Sequence, residues 1–167
     1  MKPENNRESE FENFVTEYRC IIDKVCWTYA SDENSWQDLR QEVLINLWRG
    51  FDTFGSRAKM STWVWRVALN TCISDLRRNR RYRGTLPLPA CAGMSGDSDH
   101  ERDERLRELH ELIGRLSHLE RTIVMMWLDE HSYDEIAVVT GLTRNNVAAR
   151  LHRIKEKLSK LAQQQTH

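Results

Sequence analysis

Apolar residues recur along most of this sequence at the three- and four-residue spacing of an α-helix, and strand-like alternation is absent. The pattern covers residues 11–25, 36–48 and 61–76, and it resumes near residue 105. Only 7 glycines and 3 prolines are available to interrupt it in 167 residues. These features predict an all-α fold.

Four short motifs have the form of a capping box, in which a serine opens a helix and an acid three positions later bonds back to it. Each motif precedes or opens an apolar stripe, and a further helix is expected to begin near Ser61. The four pairs are Ser9/Glu12, Ser35/Asp38, Ser117/Glu120 and Ser132/Glu135.

Between the two helical parts, "GTLPLPACAGMSGDSDH" collects glycine, serine and proline without an apolar period. This composition is typical of a flexible linker. The chain is therefore predicted to form two small helical domains, residues 9–83 and 105–163, joined by a linker over residues 84–104.

The chain carries 25 basic and 25 acidic residues, so its net charge indicates no partner. The distribution is more informative, because residues 57–83 hold eight basic residues against Asp75 alone, and residues 144–160 hold six against Glu156. Residues 1–48, in contrast, hold ten acids and five basic residues. Two separate basic segments predict two contacts with a polyanion, with an acidic surface left for another partner.

The segment "SYDEIAVVTGLTRNNVAARLHRIKEKL" has the pattern of a helix-turn-helix, the second domain's predicted core motif. Ala137 is the small residue where the helices cross, Gly141 tolerates the turn, and Thr143 can cap the second helix. The apolar anchors are Ile136, Leu142, Val147 and Leu151.

The second helix of this motif leaves a polar and basic face free to read DNA. Arginine and asparagine at its N-terminal end suit base edges in the major groove, while Arg150, Lys155 and Lys157 suit phosphates. Any amphipathic helix ending in lysines solvates its charges in a similar way, but the Ala–Gly–Val spacing with its caps favours DNA binding. The outward residues are Arg144, Asn145, Ala148, Ala149, His152 and Arg153.

In the first domain, "SRAKMSTWVWRVALNTCISDLRRNRRYR" interleaves aromatic and cationic residues, which suits single-stranded nucleic acid. Trp63 and Trp65 cannot face the same side of a helix, so one is expected in the core and one is expected to contact a base. Four close arginines repel one another, and an anionic partner explains them better than a solvated surface. They are Arg77, Arg78, Arg80 and Arg81.

At "DLRQEVLINLWRGFDTF", then "STWVWRVALNTCISDLRR" and the helix-turn-helix, the sequence resembles the bacterial RNA polymerase sigma factors of the sigma-70 family. The likeness covers residues 9–162 and is greatest to the small two-domain kind, the extracytoplasmic-function (ECF) sigma factors. The resemblance implies that the chain binds core RNA polymerase and directs promoter-specific initiation, with an anti-sigma factor as a further partner.

The resemblance also implies roles for particular residues. Asp38, Gln41, Glu42 and Trp48 would bind the clamp helices of the largest polymerase subunit, and the polymerase flap would be a second contact. Lys59, Met60 and Ser61 would capture a flipped base of the melted −10 element, with Trp63, Asn70 and the four arginines along that element. Thr143 and the helix after it would read the −35 element. Two departures are the alanines at 148 and 149 and the loop "AKMS", which is poor in aromatic residues.

Other classes of function find little in the sequence. Cys20, Cys26, Cys72 and Cys91 form no CxxC pair, and the 6 histidines are scattered, so no metal site, cofactor or catalytic residue is predicted. His110, His118 and His131 are expected on helix surfaces or ends.

The longest apolar run, "TIVMMWL", is too short to span a bilayer, and the first residues are polar and acidic. A non-enzymatic cytoplasmic protein without membrane insertion is therefore expected. The alternative is a dimeric helix-turn-helix regulator that binds duplex DNA without replacing a sigma factor.

Overall fold

The computed structural model describes residues 4–30, 32–55, 58–79 and 100–165, without the side chains of residues 79, 100, 102, 103, 106, 107 and 110. Within these ranges the regular structure is entirely helical. The chain divides into two compact units, residues 1–84 and 85–167. The predicted all-α fold, with a helix-turn-helix in the second unit, is confirmed.

The first unit contains α1 (Glu4–Tyr29), α2 (Glu33–Gly50), a 3-10 turn (Phe51–Thr53) and α3 (Met60–Asn79). The predicted start near Ser61 is confirmed, but the two predicted capping boxes of this unit are wrong. Ser9 lies inside α1, because residues 4–8 contain no helix breaker and the Asn6 amide donates to the Glu10 carboxylate at 2.9 Å.

Helix α2 is opened by Asp32 rather than by Ser35. The Asp32 side chain accepts from the backbone N–H of Ser35 at 2.7 Å, and Ser35 Oγ accepts from the Asp32 N–H at 3.0 Å. Aspartate caps a helix as well as serine does, and the intervening residues are compatible with helix. The cap of α2 therefore lies three residues before the expected one.

The three long helices of this unit enclose an apolar core. Asp23 of α1 is buried at its edge, where its carboxylate pairs with Arg40 of α2 at 3.0 Å and Arg19 at 3.4 Å. The Asn46 amide of α2 donates to the Thr71 hydroxyl of α3 at 2.9 Å. The largest fully buried side chains of the unit are Ile22, Val25, Val43, Leu47, Trp65 and Leu69.

Helix α2 ends where it meets an indole ring. A Cβ added at Gly50 would lie 2.9 Å from Cζ2 of Trp63. The Gly50 backbone has φ −90° and ψ −7°, which any residue adopts. Glycine is therefore required here for space and not for its backbone freedom.

The second unit contains α4 (His100–Gly114), α5 (His118–Leu128), α6 (Tyr133–Thr140) and α7 (Arg144–Gln165). The predicted capping boxes at Ser117/Glu120 and Ser132/Glu135 are both confirmed. The core includes the fully buried side chains of Ile113, Ile123, Met126, Ile136, Leu151 and Ile154.

A buried arginine completes the end of α4. Arg121 donates to the backbone carbonyls of Gly114 at 2.9 Å and Leu116 at 3.1 Å. The last carbonyls of a helix have no partner within the helix itself. The guanidinium therefore satisfies groups that the turn between α4 and α5 would otherwise leave open.

Helix α4 includes residues 100–104, which were expected in the linker. The apolar period resumes only near residue 105, so it predicts a later start for this helix. Helix formation needs no apolar residue, and glutamate and arginine are good helix formers. Glu101 and Arg105, one turn apart, pair at 3.0 Å. Residues 84–99 of the expected linker lie outside the described residues.

Candidate nucleic-acid interface

The helix-turn-helix of the second unit has its turn at Gly141. This residue has φ 74°, in the left-handed region, and its N–H donates to the Ala137 carbonyl at 2.9 Å. Thr143 Oγ1 accepts from the backbone N–H of Asn146 at 3.2 Å, so Thr143 caps α7 as predicted. Val147 and Leu151 are buried, which fixes the inner face of α7. Leu142, expected as an anchor, is only partly buried.

The opposite face of α7 is open to solvent over most of the residues expected to read DNA. Ala148 and Arg150 are partly buried. Two of the residues expected to read DNA have acidic partners within the chain, since Arg144 Nη1 donates to Asp134 at 3.4 Å and His152 lies 3.5 Å from Glu156. The exposed residues of this expected DNA-binding set are Arg144, Asn145, Ala149, His152 and Arg153.

Two lysines expected at phosphates are bound within the unit. Lys155 Nζ lies 4.1 Å from the centre of the Trp127 ring, and Lys157 pairs with Glu120 at 3.2 Å. Burial raises the pKa of the Glu120 carboxyl, but its hydrogen bonds to Ser117 and Lys157 outweigh burial and lower the pKa overall. A phosphate would have to compete with these two partners.

In the first unit, only Lys59 of the three residues expected in a base-capturing loop lies before α3, because Met60 and Ser61 are the first two residues of that helix. Lys59 is exposed, and Met60 and Ser61 are partly buried. Trp63, one turn later, is also partly buried, with its ring centre 5.1 Å from Phe54 and 6.0 Å from Phe14.

Trp65 is fully buried, so one of the two tryptophans is in the core as expected. Phe54 was missed by the sequence reasoning, because its pairing with Trp63 joins different parts of the chain. The only signal was an aromatic residue just before the loop.

Further along α3, Asn70 and Arg77 are exposed, as a DNA-binding face requires. Arg78 is also exposed but donates to the Glu42 carboxylate at 2.6 Å, and this bond raises the pKa of Arg78. Two predicted site residues, one assigned to DNA and one to polymerase, are thus in direct contact. Arg80 and Arg81 lie outside the described residues.

The outer face of α2 carries the predicted polymerase-binding residues. Asp38 and Gln41 are exposed, and Glu42 is partly buried. Ile45, which the sequence reasoning missed, is 50% exposed one turn after Gln41. Single exposed apolar side chains are common on protein surfaces, so Ile45 belongs to this face because of its position beside Asp38 and Gln41. The sequence pattern alone does not separate it from the buried stripe of α2.

Trp48, the fourth predicted polymerase-binding residue, belongs to an aromatic cluster. Arg7 Cζ lies 3.8 Å from the centre of its ring, and Phe11 packs edge-on at 5.0 Å. Arg7 Nη2 also donates to the Trp48 carbonyl at 3.3 Å. Arg7 Nε lies 2.7 Å from Asp52, an ion pair without hydrogen-bond geometry. The first turns of α1 therefore cover much of this indole.

The remaining candidate residues are dispersed. Cys26 and Cys72 are buried and Cys20 is partly buried, while Cys91 and the His110 side chain lie outside the described residues. His131 lies at a helix end as expected, but it is buried, with Nδ1 3.2 Å from Glu135. Within the described ranges no three metal-ligating side chains gather, and no helix is both long and apolar enough to cross a bilayer.

Comparison with known families finds one matched segment in each unit. Residues 14–82 match Sigma-70 region 2, and residues 106–158 match Sigma-70, region 4. The two matches together span well over half of the chain, which therefore belongs to the sigma-70 family of bacterial RNA polymerase sigma factors. The predicted resemblance to the ECF group is confirmed by its relatives.

Two relatives illustrate the likeness. The chain is 25% identical over 166 residues to the ECF RNA polymerase sigma factor SigW of Bacillus subtilis, which covers 92% of this chain and 89% of SigW. It is 30% identical over 105 residues to SigG of Mycobacterium tuberculosis, covering 62% of this chain. The chain spans about a quarter of the length of SigG, since the match covers 27% of that relative.

A solved structure shares the fold. The sigma factor RpoE in complex with the anti-sigma factor NepR from Bartonella quintana has a TM-score of 0.72 and 17% sequence identity. The match covers 92% of this chain and 97% of that chain.

Proposed function

We propose that the chain is an RNA polymerase sigma subunit, which binds core polymerase and directs initiation at a particular set of promoters. The observation that carries this proposal is the presence, in one chain, of both a region 2 unit and a region 4 helix-turn-helix with an outward basic helix. A conventional dimeric regulator would use its first unit to dimerise, a role that calls for no match to Sigma-70 region 2. We infer that the chain performs no chemistry and acts in the cytoplasm, where polymerase and DNA are found.

The face of α2 is the proposed contact with the clamp helices of the largest polymerase subunit. Asp38 and Gln41 lie beside the exposed side chain of Ile45. An apolar centre with an acidic edge suits a basic partner, because the apolar part supplies affinity and the charges supply orientation. Trp48 is covered by Arg7 and Phe11, so its proposed role is to support this face from behind.

Lys59 and the first two residues of α3, Met60 and Ser61, are the proposed site for an unstacked base of the −10 element. Flipping a base costs a few kcal/mol, and stacking on an aromatic ring returns about 1–3 kcal/mol. Met60 and Trp63 are one turn apart and lie on the same side of α3, so the Trp63–Phe54 pair adjoins this site. These rings supply the aromatic surface that residues 59–61 themselves lack.

Asn70, Arg77 and Arg78 are proposed to follow the backbone of the same strand, and Arg80 and Arg81 to continue it. The helix capped by Thr143 is proposed to read the −35 element in the major groove, with the polymerase flap as a second contact for this unit. Arg144 and Asn145 occupy its N-terminal turn, which is the part of a recognition helix that approaches base edges. Regulation by an anti-sigma factor is proposed by analogy with RpoE bound to NepR.

The test is run-off transcription with purified chain, core polymerase and a genomic template, together with capture of core polymerase by the tagged chain. We expect capture and new start sites that core polymerase alone does not give. Binding to palindromic duplex DNA without polymerase, and no new start sites, would instead favour the dimeric regulator.

Two variants separate the proposed interfaces. Asp38→Arg is expected to weaken polymerase capture, with Glu12→Arg, an exposed acid on α1, as the matched control. Arg144→Ala is expected to leave capture intact and to change promoter preference. Equal loss of capture in Asp38→Arg and Glu12→Arg would contradict the assignment of the α2 face.

A further inference from the structure

The carboxylate of Asp134 takes no part in the capping box of its own helix. Ser132 and Glu135 form the capping box of α6, and Asp134 lies between them with its side chain 70% exposed. Its Oδ2 instead accepts from Nη1 of Arg144 at 3.4 Å. Arg144 is the first residue of α7, on the following helix, and its side chain is 66% exposed. The pair therefore joins the two helices of the helix-turn-helix at the proposed DNA-facing end.

We propose that Asp134 is a positioning residue, which holds the Arg144 guanidinium in the orientation that reads a guanine in the upstream promoter element. The inference rests on the proposed function of α7. A free arginine side chain has many rotamers and loses this freedom on binding. A carboxylate partner reduces the loss, because it restrains the guanidinium before DNA arrives.

The donor pattern of the Arg144 guanidinium, a planar fork of N–H groups, indicates guanine as the base. Guanidinium carries five N–H donors, and Asp134 engages only Nη1. The remaining donors can make the two parallel bonds to O6 and N7 of guanine, the commonest specific contact of arginine in the major groove. Asp134 is then the partner that fixes which edge of the fork faces the base.

The same carboxylate opposes binding to DNA in general. A negative charge beside phosphates weakens attraction to every duplex, whatever its sequence. Asp134→Asn should therefore have effects of opposite sign, weaker discrimination at one base pair and unchanged or tighter binding to other sequences. An incidental surface pair would produce only the second effect, and damage to the fold would weaken binding at all positions.

The experiment uses the full chain assembled with core polymerase. It measures binding to a library of promoters whose upstream element is randomised and whose downstream element is fixed and already melted. Sequencing of bound and unbound fractions gives the preference at each position. The variants are Asp134→Asn, Asp134→Glu, Arg144→Ala and the double variant, with Glu130→Gln as a control that removes an exposed acid from the same unit.

We expect Arg144→Ala to abolish one guanine preference and Asp134→Asn to lower that preference alone by about two- to fivefold, the range of an exposed ion pair. Asp134→Glu should retain part of it, the double variant should match Arg144→Ala, and Glu130→Gln should match the wild type. The inference would be overturned, with the proposed function left standing, by any of three results. Asp134→Asn could keep the full guanine preference, it could lose preference equally at every position, or Arg144→Ala could keep every guanine preference. A wild-type holoenzyme without any upstream preference would overturn the proposed function as well.

Discussion

Substitution of Gly50 by alanine sets two effects of opposite sign against each other. In a helix, alanine is favoured over glycine by up to about 1 kcal/mol. Here the new Cβ would lie 2.9 Å from Cζ2 of Trp63, which is too close for two carbon atoms. The indole cannot simply rotate away, because its ring packs against Phe54 and Phe14. Overpacking of this kind costs about 1–3 kcal/mol.

The overpacking is therefore expected to win, with a net loss of about 1 kcal/mol, or a fall of about 4–8 °C in Tm for a unit of this size. Tryptophan fluorescence is a suitable measurement, because five of the 6 tryptophans lie in the first unit and report chiefly on its unfolding. Gly114→Ala is the control for helix propensity, since a Cβ there meets nothing within 4 Å. It should leave stability unchanged or raise it, as followed by circular dichroism.

A second background makes the reasoning refutable. Trp63→Phe removes the part of the ring that the new methyl group would meet. In that background Gly50→Ala should be neutral or stabilising. An unchanged or higher Tm for Gly50→Ala in the wild type, or the same fall in both backgrounds, would show that the close approach does not decide the outcome.

Three further predictions concern stability and reactivity. Arg7→Ala removes the cation over the Trp48 ring and its ion pair, and should cost the first unit about 1 kcal/mol in thermal unfolding, with Arg7→Lys recovering only part. Burial, and then a neighbouring arginine, lower the pKa of His118 from 6.5, so the unfolded chain is protonated first; the second unit should lose stability as pH falls below about 6.5, and less so in His118→Gln, by circular dichroism. A hydrogen bond to the neighbouring thiol of Cys26, and then burial, raise the pKa of Cys72, so iodoacetamide should label Cys20 before Cys72 in the native chain. Equal labelling rates for these two thiols by peptide mass spectrometry would contradict this.

Features decided within a few residues could be predicted from the sequence. The capping boxes at Ser117 and Ser132 and the left-handed turn at Gly141 depend on short motifs, and each is present in the structure. The capping box predicted at Ser35 was wrong because Asp32 offers the same chemistry three residues earlier. A short capping motif cannot decide between two such residues, since the packing of the whole helix determines where its first turn begins.

Features that depend on how separate elements pack together could not be predicted. The Phe54–Trp63 pair, the cover of Arg7 over Trp48, and the exposure of Ile45 all follow from how three helices pack. Periodicity places a residue in an apolar stripe, but it does not show whether a residue at the edge of that stripe is buried or exposed. The expected roles of the site residues in DNA and polymerase binding remain predictions, because they depend on contacts with those partner molecules and not on the fold of this chain alone.

The bond of 2.6 Å between Glu42 and Arg78 complicates any mutational map of the first unit. Replacing Glu42 leaves the Arg78 guanidinium with the more distant Asp75, at 4.0 Å, and so more available to phosphate. Replacing Arg78 removes the basic partner of the Glu42 carboxylate. In an alanine scan, either single substitution would then lower the signal in both the transcription assay and the polymerase-capture assay. Only the paired substitution, compared with its two single parents, would tell which partner each side chain serves.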